Sequence, residues 1–225
     1  MMYYNIALES EPKIIGVRNG IYQVELDKKA YDKESFKELE QTFITNKFTA
    51  DQEIPDVDFK FYFKKLKSAK KTSFMSFTPH IKHGHFLISQ RVVELFESSN
   101  IQQHKNFDAV IYDSPGENVD NSYKLFYSVL QDWNVIDFKN SVFTSGGIGN
   151  IPLIEHQFKD EIEMNSFKGL TQVKTLALSE DFDTTLDYFH TRLGRLFVSE
   201  RLKKALESNT YTGVLFRNKI KVLTK

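Results

Sequence analysis

The sequence contains no cysteine. That excludes a disulfide scaffold, a thiolate zinc site and a cysteine nucleophile. Net charge is absent too: 30 Lys and Arg balance 30 Asp and Glu over 225 residues. A neutral chain does not suit a protein that grips nucleic acid by neutralising phosphates. Arginine is scarce, at positions 18, 91, 192, 195, 201 and 217. A surface whose cations are mostly lysine fits plain solvation better than bidentate phosphate binding. No run of about 18 uncharged apolar residues occurs, so no membrane span is expected. Met1 to Pro12 has neither a basic region nor an apolar run. No signal peptide is therefore expected, and the expected location is the cytoplasm.

Aromatic residues, in contrast, are plentiful: 20 Phe and 10 Tyr beside a single Trp. With a hydrophobic share of 40% they supply ample area for a core and exclude a disordered chain. At roughly 150 residues per domain the length falls between one domain and two. We read a single domain over 1–225, with two similar halves, about 1–113 and 114–225, as the alternative division.

Periodicity places the elements. Residues 21–26 alternate as a strand, with Tyr22, Val24 and Leu26 on one face. Ser35 and Glu38 make a capping-box pattern before Phe36, Leu39 and Phe43, which predicts a helix over about 36–46. Val57, Phe59, Phe61 and Phe63 mark the cleanest strand. The basic run Lys64–Lys71 reads as a solvated connection, followed by a strand near 72–77. Further strands are expected at 107–112, before a turn at 113–116, and at 171–178. Mixed apolar segments lie at 123–130 and 134–138, and a helix is expected over 183–193 from the spacing of Leu186, Phe189 and Leu193. Ile220 and Val222 alternate with lysines, as an edge strand would. The fold class is α+β, a mixed sheet with short packed helices.

One pattern occurs twice, at an offset of 110. Gly84–Ser98 (GHFLISQRVVELFES) is echoed by Gly194–Ser208 (GRLFVSERLKKALES). Each copy reads as strand, Ser, any residue, Arg, helix, strand, and the two copies are expected to share one sheet. Ser89 and Ser199 stand where an N-cap is needed. Arg91 and Arg201 oppose the helix dipole in the first turn, which suggests that each guanidinium has a fixed carboxylate or carbonyl partner. These four residues are read as structural.

The stretch Leu196–Phe216 (LFVSERLKKALESNTYTGVLF) resembles the C-terminal signature of immunity protein family 11 of bacterial polymorphic toxin systems. Val198, Ser199, Glu200, Arg201, Leu202, Lys203, Ala205 and Leu206 carry the helix part, and Thr212, Gly213, Val214 and Phe216 the strand part. Upstream, Ser89–Phe96 and the positions Tyr123, Val135, Asp137, Ser141 and Phe143 are similar as well, so the likeness spans about Phe86–Phe216. It implies a bacterial intracellular protein that binds a cognate toxin and neutralises it. It implies no catalytic residue and no cofactor. The expected partner is a protein, not nucleic acid or membrane, and the oligomeric state is left open.

Three further patterns bear on chemistry. His80, His83 and His85 fall close together; in an extended segment the last two would point the same way and could hold zinc or nickel. They are the only candidates for a metal-dependent enzyme, the alternative function; a module of a larger assembly is the third reading. The loop Ser145–Asn150 is glycine-rich but lacks the ending of a phosphate-binding loop. Between Glu155 and Asp187, eight acids face three lysines. Of these acids Asp160, Glu161, Glu163, Glu180, Asp181 and Asp183 are the candidate partner-binding residues, suited to a basic surface on the toxin.

Overall fold

The computed structural model describes residues 2–18, 22–45, 53–113, 116–147, 149, 151–217 and 220–224. Among them the strands, in chain order, are β1 (Tyr3–Leu8), β2 (Val24–Leu26), β3 (Lys60–Lys65), β4 (Phe74–Met75), β5 (Phe77–Thr78), β6 (Gly84–Ser89), β7 (His104–Tyr112) and β8 (Asp120–Ser128). There follow β9 (Val142–Ser145), β10 (Ile154–His156), β11 (Gln172–Ala177), β12 (Tyr188–Thr191), β13 (Arg195–Ser199), β14 (Val214–Arg217) and β15 (Lys221–Leu223). Short helices are α1 (Pro12–Ile15), α2 (Lys33–Leu39), α3 (Gln90–Glu97), α4 (Glu161–Ser166) and α5 (Glu200–Ser208). The class is α+β, with mixed sheets and short helices, as the pattern of the sequence predicts.

The strands form three sheets. A seven-stranded sheet runs β4-β6-β8-β7-β3-β2-β5, and two four-stranded sheets run β12-β13-β1-β14 and β10-β9-β11-β15. The two repeated units therefore lie in separate sheets, not in one. Their local topology is nonetheless the same. In the first, β6 and β7 flank β8 and both run antiparallel to it. In the second, β13 and β14 flank β1 in the same way. Each helix thus crosses over one inserted strand to reach the next parallel position.

Alternating side chains explain how the layers stack. Leu87 and Leu125 pack with Phe61, Phe107, Leu39 and Phe43 on one face of the large sheet. Their neighbours Phe86, Ile88 and Phe126 point to the other face. There they meet Val92 and Phe96 of α3, Leu202 and Leu206 of α5, and Ile6, Tyr188 and Val198 of the first small sheet. On the far side of that small sheet, Tyr3, Phe189 and Phe197 pack against Phe143 and Leu176 of the second. Strands covered on both faces read as unbroken apolar runs, which is why Phe86-Leu87-Ile88 and Leu125-Phe126-Tyr127 show no alternation.

The same burial on two faces accounts for the helix expected over 183–193. That segment is a turn followed by β12, whose four residues are all buried. Tyr188 faces the helices and Phe189 the opposite layer. Leu186, Phe189 and Leu193 have helical spacing only because the turns on either side also bury apolar groups. A second correction concerns α2. Its N-cap is Asp32, which accepts from the amides of Glu34 and Ser35 at 2.9 and 2.8 Å, so Ser35 is not the cap. Glu40–Ile44 then widen into a π turn that buries Phe43. The mixed apolar segment Asn134–Phe138 runs through two 3-10 turns, Trp133–Val135 and Phe138–Asn140. The segment near 72–77 splits into β4 and β5. Ile21, Ser114, Pro115, Ile148 and Asn150 lie outside the described residues. The basic run is tied down at its ends, Lys65 to Asp113 at 2.9 Å and Lys71 to Asp120 at 2.8 Å.

The four repeated polar residues are not equivalent. Ser199 accepts from the Leu202 amide at 3.1 Å and so caps α5, whereas the Ser89 side chain makes no cap bond at α3. Arg201 holds the carboxylate of Asp187 with two nitrogens, Nε at 3.0 Å. Asp187 is 1% exposed while Arg201 is 70% exposed, so the pair is half buried and the arginine is not. Asp187 also accepts from Ser199 Oγ at 2.6 Å and from the Asn100 amide at 3.0 Å. Arg91 instead donates to the carbonyl of Asn209 at 3.3 Å and lies 5.1 Å from the Tyr211 ring centroid. Asn209 ends α5, so α3 and α5 lie head to tail and Arg91 meets the negative end of its neighbour's dipole. That offsets its unfavourable position in its own helix.

Candidate functional site

A surface groove of about 630 Å³ lies beside the loop that joins β8 to β9. Its floor is Trp133, Ile136 and Phe138, and its rim carries Asp160 and Glu161 of the α4 start with Ser179 opposite. Local sequence explains the shape. Asp137 caps the second 3-10 turn through the Asn140 amide, and Phe138 sinks into the core. Trp133 is only partly covered; the Arg192 guanidinium sits 6.0 Å from its ring centroid and 3.7 Å from Asp132. An aromatic floor with a charged rim is the composition that carries binding energy at protein interfaces.

Of the candidate acids, Asp160 and Glu161 line this groove. Asp160 accepts from the Glu163 amide at 2.9 Å, and Glu163 accepts in return from the Lys159 amide at 2.6 Å. Asp160 thus caps α4, and Glu163 ties back the residue before the cap. Asp181 receives Asn134 Nδ2 at 3.4 Å, which ties it to the groove wall. Asp183 accepts from the hydroxyl and amide of Thr185, and those bonds hold its carboxyl below the usual carboxylate range. Glu161 stands on the rim and Glu180 is exposed beside Ser179. Asp187, the eighth acid of the stretch, is interior. Burial alone would raise its carboxyl, but the bonds from Arg201, Ser199 and the Asn100 amide prevail and lower it. Lys139 and Lys159 line the groove beside Asp160 and Glu161, and the charges of both signs offset one another.

The histidines are arranged differently from the expectation. His83 adopts a left-handed backbone with φ of 58°, so the segment is not extended, and His80 is exposed, lining a small pocket with His85. His83 and His85 meet His190 of β12 instead. Among the described residues no three His or acidic side chains converge closely enough to hold a metal ion. Gly146 of the glycine-rich loop packs against the Pro152 carbonyl, where a Cβ would stand 2.1 Å away, so its role is to close the β9–β10 turn.

Two comparisons with known proteins complete the description. The model of the Immunity protein family (Imm11) matches residues 5–221. No curated protein matches the chain.

Proposed function

The chain belongs to the Immunity protein family (Imm11), and from that premise we propose that it neutralises a cognate bacterial protein toxin by stoichiometric binding, without chemistry of its own. The family match over nearly the whole chain carries this reading. Among the described residues no helix is long and apolar enough to cross a membrane. The reading extends to a cytoplasmic site of action, where a self-directed toxin would meet its target.

The docking face in this reading is the groove around Trp133, with Asp160, Glu161, Glu163, Glu180, Asp181 and Asp183 directed at a basic surface of the toxin. Trp133 supplies the apolar anchor, and the acids steer encounter. A complex of ordinary size would bury roughly 1,200–2,000 Å² in total. The test is to isolate the tagged protein from its native cell, identify the polypeptide that co-purifies, and measure the mass of the reconstituted complex. A defined complex whose hydrogen exchange slows around residues 133–140 and 159–163 supports the reading. A complex protected only elsewhere removes the proposed face, and no complex with any toxin removes the function.

A further inference from the structure

His83 and His85 meet the distant His190 where the seven-stranded sheet abuts the first small sheet. The His85 and His190 ring centroids are 4.4 Å apart, edge to face, and those of His83 and His190 are 6.4 Å apart. His83 and His190 are buried. Backbone bonds close the seam around them. The amide of Gln131 donates to the His190 carbonyl at 2.7 Å, and the amide of Ser128 donates to the His83 carbonyl at 3.1 Å. The His190 amide donates to Gln102 Oε1 at 2.8 Å.

The polar groups facing the rings come from five segments. His80 lies on the loop before β6. Tyr127 and Ser128 end β8, and Ser128 Oγ meets His85 Nε2 at 2.8 Å. Gln102 and His104 precede and open β7, bonded to each other at 2.9 Å. Tyr188 on β12 lies 3.4 Å from Ser128 Oγ. Past β12, Arg192 is engaged with Asp132. Among the described residues, the charges that act on His85 and His190 are those of other histidines.

We propose that His85 and His190, with His83 packed beside them, form an acid-released latch: as neutral imidazoles the pair holds β12 against β6 and β8, and protonation frees that strand while the large sheet keeps its core. Two cations at this separation, one of them on the buried His190 ring, repel strongly. Burial, with the neighbouring histidines, pushes His190 down to about 3 and His85 well below its ordinary value. In the released strand the rings return to about 6.5. The released state therefore takes up protons that the closed state refuses. Closure is complete above that value and weakens as pH falls. Uptake of two protons multiplies the opening constant about a hundredfold per pH unit.

Release is local because of the topology. β12 is an edge strand laddered only to β13, and single bridges at Ile101 and Gln131 join it to the other side. β3 and β7 belong to a separate part of the core. Arg192 follows β12 directly and covers Trp133, so release also uncovers the groove floor. That last consequence, and it alone, rests on the binding reading above.

Hydrogen exchange of the intact protein, followed from pH 7 to pH 4 and corrected for intrinsic rates, tests the latch. Protection of residues 188–191 should fall about a hundredfold per pH unit below pH 6 while residues 61–63 and 107–111 stay protected. His190→Gln should flatten that dependence. Uniform loss of protection across both sheets, or no dependence on pH in the wild-type protein, overturns the proposal without any variant having to fold. These outcomes are independent of whether a toxin is bound.

Discussion

Ser73 occupies in the first repeated unit the position that Asp187 occupies in the second. The Ser89 amide donates to the Ser73 carbonyl at 2.9 Å, and the Ser199 amide donates to the Asp187 carbonyl at 2.8 Å. Ser73 Oγ accepts from the Thr212 amide, as the Asp187 carboxylate accepts from that of Asn100. The difference between serine and aspartate explains the different fates of the two arginines. Arg201 has a carboxylate to grip, and Arg91 turns to a carbonyl and a tyrosine ring.

Replacing Asp187 by Ala should cost about 3 kcal/mol in urea denaturation, since Ser199, Asn100 and Arg201 lose their common acceptor in the interior. Arg201→Ala should cost less, because Ser199 and Asn100 still serve the carboxylate. Equal losses would show that the guanidinium, not the buried acceptor, holds the site.

Ser73→Asp should create in the first unit the pair that the second already has. A double-mutant cycle between Ser73→Asp and Arg91→Ala should show a coupling of a few tenths to about 1 kcal/mol. Zero coupling would mean that the two positions are not equivalent.

The two serines should behave unequally. Ser199→Ala removes a cap bond and a bond to Asp187 and should cost at least about 1 kcal/mol. Ser89→Ala removes no cap bond and should leave the urea midpoint nearly unchanged. Equal shifts would contradict the geometry at α3.

Stability should fall with acid in two stages. The histidine contribution is present above about 6.5 and is lost from there downward. Asp187, whose carboxyl is lowered below its ordinary value of 3.8, contributes stability above that value and loses it as pH falls through its folded-state value. Asp187→Asn should erase the lower stage and leave the upper one, which a pH series of thermal melts can read.

Charge reversal at Glu161 should slow association with a basic toxin on the order of tenfold at low salt, with the difference vanishing at high salt. Glu161 suits this test better than Asp160, whose side chain also caps α4. Salt-independent rates would remove steering from the account.

The repeated units, with Ser199 as a cap and an arginine seeking a partner, were legible because a cap and a first-turn cation are local features. Asp187 was not, since its donors come from two segments distant in the chain, Asn100 and the Ser199–Arg201 stretch. It looked like one more surface acid in an acidic stretch. The meeting of His83 and His85 with His190 was hidden for the same reason. β12 was misread because a strand covered on both faces loses its alternation and, with buried turns beside it, mimics a helix. Asp160 carries an ordinary N-cap signal as well, an acidic residue three before Glu163 at the start of α4.

The central claim is neutralisation by occupancy. Its most direct test is to titrate this protein into the toxin that co-purifies with it and record residual toxin activity at several incubation times. The account predicts a straight decline to zero at one fixed molar ratio, identical at every time. Continued loss of activity with time at a small fraction of that ratio would contradict it, because only turnover disarms many molecules with one.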